Sequence, residues 1–364
     1  MPEPLLSFLI ALGVSILLHL GLIKPSVWFG LVDIPQGRKS HRGAIPLIGG
    51  LAMFCAYSLS LSLTGMLDED LIMLLVGAAI LVFCGLLDDF FFLTPISKLL
   101  VQISVALIVV LSTGATINNL GLGWLLHDQG ASLIAIALTL GFLVGSMNTL
   151  NMMDGADGLA GGLALIAAGW LALATLLSGQ GTEAVALTLL AAVILGFLAF
   201  NARIGGRRRA SVFMGDSGSL MLGCLLAAFA ARLCDGGSDS VPFVALLWVF
   251  ALPAIDAGSV IVRRIVAGNS PLRSDRRHIH QLCLREGWLV EWTVGGLWFV
   301  SAVLGGVGVL GWQAGVPDSI LLIGLGVPAL LHIWFVRHST KLSATFQSWI
   351  SGLRLSRKAE TREA

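Results

Sequence analysis

"ASLIAIALTLGFLVGSMNTLNMMDGADGLAGGLALIAAGWLALATLLS" spans residues 131–178. Two apolar runs, 131–147 and 158–178, meet at a short polar centre, "NTLNMMDGADGLAGG" (148–162). An apolar run of about 18 or more residues is long enough to cross a bilayer core as a helix. The pattern repeats along the chain. Further runs fall near 5–23, 45–64, 71–87, 96–113, 184–200, 218–234, 243–262, 293–312 and 319–336, giving about eleven in all. Composition agrees: of 364 residues 56% are hydrophobic and only 12% charged, with a mean hydropathy of +0.91, against about 25% charge in a soluble domain. The expected fold is an all-α, polytopic integral membrane bundle of about eleven transmembrane helices. Residues 1–336 would form one transmembrane domain and 337–364 a basic tail.

Charge sets the orientation. No Lys or Arg precedes the first run and Lys24 follows it, the order of a signal anchor with the N-terminus outside. Threading eleven spans from there leaves Arg232 alone, of 22 Lys and Arg, on the outer side. The C-terminal tail is then cytoplasmic. The formal net charge of +1 gives no reason to expect a nucleic-acid partner. Five cysteines, none in C-x-x-C spacing, predict neither a disulfide framework nor a zinc site.

The acids divide into two groups. Asp68, Glu69, Asp70, Asp128, Glu183, Asp235, Asp239 and Asp318 fall in short outer loops and read as a solvated face. The inner ends of the spans carry "GLLDDFFFLTPISKLLVQ" (85–102), the 148–162 stretch, "VFMGDSGS" (212–219) and "SPLRSDRRHIHQL" (270–282). The first inner loop adds "VDIPQGRKSHRGAIPLIGG" (32–50). Polar residues thus converge on one membrane face instead of lining a path through the bilayer, which favours interfacial chemistry over transport.

Within 148–162, Asn148, Asn151, Asp154 and Asp157 recur every third residue. On a helix they would form a slanted ridge rising about 4.5 Å per step. Oxygen donors in such a row suit a hard cation such as Mg²⁺; the plainer alternative is an interfacial helix cap. Asp88 and Asp89 are adjacent acids that become tolerable beside a cation or a base, with Lys98 nearby, or else form an ordinary charged helix end. Asp216, among small residues, marks either an N-cap or a helix start that attracts an anion. His278 and His280 share a segment with Arg273, Arg276 and Arg277, a mixture suited to phosphate. Arg207, Arg208 and Arg209 read as topology or headgroup charges. Asp256 is placed either to pair with an inner arginine or to line a cavity. His19 and His332 lack polar company and read as structural.

Taken together, "RKSHRGAIPLIGG", "LLDDFFFLTPISKLLVQ", "NTLNMMDGADGLAGG", "VFMGDSGS" and "SDRRHIHQL" occur in the order seen in a known family. The sequence resembles the polyprenyl-phosphate N-acetylhexosamine-1-phosphate transferases. It looks most like the bacterial branch that uses UDP-N-acetylglucosamine and undecaprenyl phosphate at the cytoplasmic face of the inner membrane, at the first membrane step of an envelope polysaccharide such as O-antigen. The resemblance implies Mg²⁺ as cofactor, with Mn²⁺ an acceptable substitute, and allows a homodimer. It makes Asp216 a metal ligand with Asn151 close to the metal and the pyrophosphate, and Asp88 and Asp89 catalytic groups facing the metal and the lipid phosphate. Asn148, Asp154 and Asp157 would lie on the substrate side, and Phe213 would stack on uracil. His278, His280 and Arg276 would bind the diphosphate or amino sugar, with Lys39, His41 and Lys98 as further basic substrate contacts. Ile279 replaces the middle histidine of the triple-histidine motif usual in the phospho-N-acetylmuramoyl-pentapeptide branch, which argues against that donor. A transporter or a membrane prenyltransferase remain the competing classes. The first would show paired polar sites near the midplane, and the second a D-x-x-x-D cluster.

Overall fold

A computed structural model describes residues 4–34, 43–118, 130–235, 240–270 and 277–338, without the side chains of 130–132. Among them the chain is helical apart from one two-stranded ribbon, β1 (Val32–Asp33) with β2 (Ile45–Pro46), paired antiparallel with Val32 opposite Pro46. Nine described helical segments are long and apolar enough to cross a membrane, so the protein is a polytopic all-α membrane protein. They are α1 (Pro4–Trp28), α3 (Glu69–Phe91), α4 (Pro95–Thr113), α5 (Gly130–Met153), α6 (Leu159–Leu177), α7 (Gly181–Asn201), α8 (Gly215–Cys234), α12 (Val290–Gln313) and the last segment, Asp318–His338.

The other two expected spans take different forms, for local reasons. Residues 45–64 begin as strand β2, and only Gly49–Leu63 is helical, as the 15-residue α2. Residues 243–262 are split into α9 (Phe243–Leu247) and α10 (Ala251–Val266). Pro253 explains the split: in an unbroken helix its ring would meet the carbonyl of Val249, so it is tolerated only in the first turn of a new helix. Pro328 acts likewise on the last segment, where α13 (Asp318–Gly324) is followed by a turn at Leu325.

The centre of the bundle is α8, packed against α2, α3, α5 and α6 and buried along almost its whole length. Lipid is as apolar as Leu, so close van der Waals contact, made through small residues, holds such helices together. At Gly50 and Gly85 any Cβ would collide with the backbone of Gly218 and Ser217 respectively. Those two close approaches bring the ends of α2 and α3 onto the first turn of α8. Nearby, β2 and the start of α2 receive the preceding segment, with Phe213 N–H donating to Pro46 O (2.8 Å) and Gly49 N–H to Phe213 O (3.0 Å).

At the opposite end of the bundle, Arg232 donates to Asp70 (2.7 Å) and Glu183 (2.6 Å), tying α8 to the starts of α3 and α7. Asp70 and Glu183 are therefore not simply solvated, as their loop positions suggested. They neutralise the single basic residue expected on that side. All five cysteines are free, four buried and Cys55 half-buried.

Candidate active site

A cleft of about 1230 Å³ opens where the ends of α3, α5 and α7 meet the start of α8, with β1 and β2 on one wall. Asp88, Asp89, Asp154, Asp157, Phe213 and Asp216 all line it. Four separated motifs of the sequence thus reach one cavity.

Lys98 organises the acidic wall. Thr94 caps α4 and places Lys98 one turn in. Its ammonium donates to Asp216 Oδ2 (2.8 Å) and Asp88 Oδ2 (3.0 Å). Asp216 Oδ1 accepts from Asn151 Nδ2 (2.9 Å), which also donates to Ser219 Oγ (2.9 Å). Asp216 lies in the first turn of α8 but is not its N-cap. That position belongs to Met214, which makes no side-chain cap bond. Asp88 does close its own helix, since Oδ1 accepts Leu93 N–H (2.8 Å) while the Phe92 N–H bonds Asp88 O (2.9 Å). Asp89 Oδ2 is buried without a hydrogen-bond partner.

The ridge expected over 148–157 is not continuous. Helix α5 ends at Met153, the chain turns, and Gly158 enters α6 with φ +84°. That left-handed conformation favours glycine and ends any through-running helix. The four polar residues then diverge. Asn148 exchanges hydrogen bonds with Gln102 of α4. Asn151 reaches Asp216. Asp154 lies half-buried in the cleft. Asp157 Oδ2 accepts from Arg203 Nε (2.7 Å) and Ala210 N–H (3.1 Å), pinning the segment after α7. Asn201 Oδ1 accepts Gly158 N–H (2.8 Å), and its amide donates to Val212 O (2.9 Å), locking the same turn.

Burial, followed by the charges of Asp216, Asp89 and Asp157, pushes the Asp154 carboxyl up to about 7. It can therefore carry a proton near neutrality and donate a hydrogen bond.

His278 and His280 are not on the cleft wall. His280, wholly buried, packs against Gly155, which does line the cleft. Burial outweighs the attraction of Asp256 and lowers His280 to about 4, so the ring is neutral. His278 is bound to Asp256 (2.7 Å). Asp256 thus pairs with histidines, not with an inner arginine. One of those partners is His332 at 3.2 Å, which corrects the expectation that His332 lacks polar company. His19 is structural as expected, bonded to Ser15 O and stacked on Phe200.

Sequence reasoning overlooked the opposite wall. Asn201, Arg203, Arg208 and Arg209 line the cleft, whereas Arg208 and Arg209 had read only as topology charges. The one available clue was Asp157, an interfacial acid that needed a basic partner. Arg207 bonds Ala199 O instead. Lys39, His41 and Arg276 lie outside the described residues.

Among the described residues no three of His, Cys, Asp and Glu gather closely enough to hold a metal ion unaided. That suits Mg²⁺, which typically takes one or two carboxylates and completes its shell with water and substrate phosphates. The donor set fits: Asp216 and the partnerless Asp89 Oδ2 supply hard oxygens at the cleft, beside the Asn151 amide.

A many-spanning helical bundle with a charged cleft at one end defines a multi-pass membrane protein with a polar site among its helix ends. The family model described as "Glycosyl transferase family 4" matches residues 71–233. An undecaprenyl-phosphate alpha-N-acetylglucosaminyl 1-phosphate transferase of Salmonella typhi is 30% identical over 336 residues, covering 92% of this chain and 91% of that protein. The enzyme of that name from Salmonella typhimurium is 31% identical over 88% of this chain and 87% of its own length. The one from Haemophilus influenzae is 30% identical over 87% and 89%. The chain belongs to glycosyl transferase family 4, the polyprenyl-phosphate N-acetylhexosamine-1-phosphate transferases.

Proposed function

We propose that the protein transfers N-acetylglucosamine-1-phosphate from UDP-N-acetylglucosamine to undecaprenyl phosphate and releases UMP. It does so at the cytoplasmic face of the bacterial inner membrane, at the first membrane step of an envelope polysaccharide such as O-antigen. The observation that carries this reading is Asp216, held between Asn151 and Lys98 with Asp88 and Asp89 beside it, in a cleft at one end of a membrane bundle. The names of the relatives support both substrates. Ile279 between the two histidines supports the unsubstituted amino sugar over the peptide-bearing one.

The reaction needs positioning and charge stabilisation more than a strong base. An oxygen of the lipid phosphate attacks the sugar-linked phosphorus. Its electron pair forms the new P–O bond as the bond to the bridging oxygen breaks, and UMP departs with the electron pair of the broken bond. A phosphate monoester has a second pKa of about 6, so the nucleophile is already mostly dianionic at neutral pH. Mg²⁺ bound at Asp216 and Asp89, near Asn151, would neutralise charge on the diphosphate. Lys98 holds a fixed positive charge at Asp88 and Asp216. Asn151 fixes the orientation of the Asp216 carboxylate. Arg208 and Arg209 line the same cleft and offer a second phosphate contact. Asp154 lies in the cleft where it can hydrogen-bond the nucleotide, and Phe213 offers an aromatic face for stacking.

The test is release of UMP from UDP-N-acetylglucosamine by purified protein with undecaprenyl phosphate and Mg²⁺. Stoichiometric UMP and lipid-linked sugar are expected. Release of UDP, or turnover without a lipid phosphate, would overturn the assignment.

A further inference from the structure

Asp256 is fully buried in α10, the only Asp or Glu in that state among the described residues. A buried carboxylate is expensive unless donors surround it. Three do. His278 Nδ1 lies 2.7 Å from Oδ2, Ile279 N–H donates to Oδ1 (2.8 Å), and His332 Nε2 lies 3.2 Å from Oδ1. An ionised carboxylate only accepts, so each ring nitrogen facing it carries a proton. His278 is thereby fixed with its proton on Nδ1, and Nε2 is the ring nitrogen left for other work.

The backbone bond does something separate. Helix α11 (Ile279–Arg285) starts after His278, whose side chain makes no cap bond. The first N–H groups of a helix need partners from elsewhere, and Asp256 supplies one from α10. That sets where α11 begins, and so places His280 two residues later against Gly155 at the cleft. The rings of His278 and His280 stack with centroids 6.0 Å apart and planes at 13°. His332, which also approaches Ser259 Oγ at 3.4 Å, holds the carboxylate from the last helix.

We infer that Asp256 is a positioning residue for the transfer reaction: it fixes the tautomer of His278 and, through Ile279 N–H, the start of the segment that sets His280 against Gly155 behind the cleft wall. The kinetic arm of its test rests on the function proposed above.

Asp256→Asn separates this role from a merely structural one. The carbonyl oxygen of Asn can still accept from Ile279 N–H and His332, the side with two donors. Its NH₂ then faces His278 Nδ1, which must accept, and the ring proton moves to Nε2. Steady-state UMP release is measured for wild type, Asp256→Asn, His278→Ala and the double variant. The expected result is a kcat loss of about 10²–10⁴-fold for Asp256→Asn, the scale seen when a carboxylate that sets a histidine tautomer is replaced by its amide. The KM for UDP-N-acetylglucosamine should stay within about threefold. In the His278→Ala background the same change should cost less than about twofold, since it acts through that ring. Separately, ¹⁵N NMR of histidine-labelled protein in detergent, assigned by the signal lost in His278→Ala, should show the proton on Nδ1 in wild type and on Nε2 in Asp256→Asn. An unchanged kcat, multiplicative losses, an unmoved tautomer or a variant that no longer folds would each overturn the inference. If wild type releases no UMP, the function assignment fails instead, and the NMR arm still decides the tautomer.

Discussion

Replacing Lys98 with Met removes one charge and keeps most of the side-chain stem. Its ammonium lies 2.8 Å from Asp216 and 3.0 Å from Asp88. At an effective dielectric constant of about 20, each such contact amounts to about 5–6 kcal/mol of bare attraction. The side chains are 25%, 26% and 16% exposed, so screening reduces the net value of each pair to about 1–2 kcal/mol. The same charge opposes any divalent cation on Asp216; after similar screening that repulsion is about 1.5–3 kcal/mol. Lys98→Met should therefore bind a divalent cation about 10- to 100-fold more tightly, while turnover falls for want of the fixed charge beside the phosphates. Mn²⁺ binding to detergent-solubilised protein, followed by electron paramagnetic resonance without substrate, reads the first effect. UMP release at saturating substrates reads the second. Unchanged or weaker Mn²⁺ binding would refute the claim that the ammonium and the metal share one set of carboxylates.

Asp157→Asn should chiefly raise the KM for the nucleotide sugar, because its contacts with Arg203 and Ala210 shape the basic wall and it does not touch Asp216; loss of kcat at unchanged KM would place Asp157 in the catalytic cluster. The Asp154 carboxyl moves from 3.8 to about 7 on folding, chiefly through burial, so its contribution to stability is full below about pH 3.8 and is lost as pH rises through 7. The thermal midpoint of Asp154→Asn relative to wild type should accordingly climb from pH 4 to pH 7 and then level off, and a flat difference would show that the shift is absent. A reporter fused after Arg337 should behave as cytoplasmic, as the charge asymmetry demands; an external signal would change the span count by an odd number and move the proposed active face.

The membrane bundle was legible in the sequence because bilayer thickness fixes the length of an apolar run, and neither packing nor partners can alter that requirement. The cleft acids were legible because polar motifs gathered at the ends of several spans on one side of the membrane. The sequence also fixed their company in part, since Asp88 and Lys98 flank one tight turn. Tertiary structure alone decided the rest. Whether 148–157 ran on as one ridge depended on α5 ending at Met153 and the chain turning over the next residues, and the spacing of polar residues carries no information about that turn. Asp256 could have faced an arginine or a cavity; its true partners, His278 and His332, lie 22 and 76 positions away. The arginines of the far wall looked like topology charges because a positive side chain at an inner loop satisfies the membrane whichever way it points. The turn of chain held by Asp157 and Asn201 carries Arg208 and Arg209 to the cleft lining. Span length and charge asymmetry are properties of one segment against the bilayer, so a sequence can state them. Which side chains share a cavity is set by how closely helices approach, here through Gly50 and Gly85 against α8, and that is a property of pairs of segments distant in the chain.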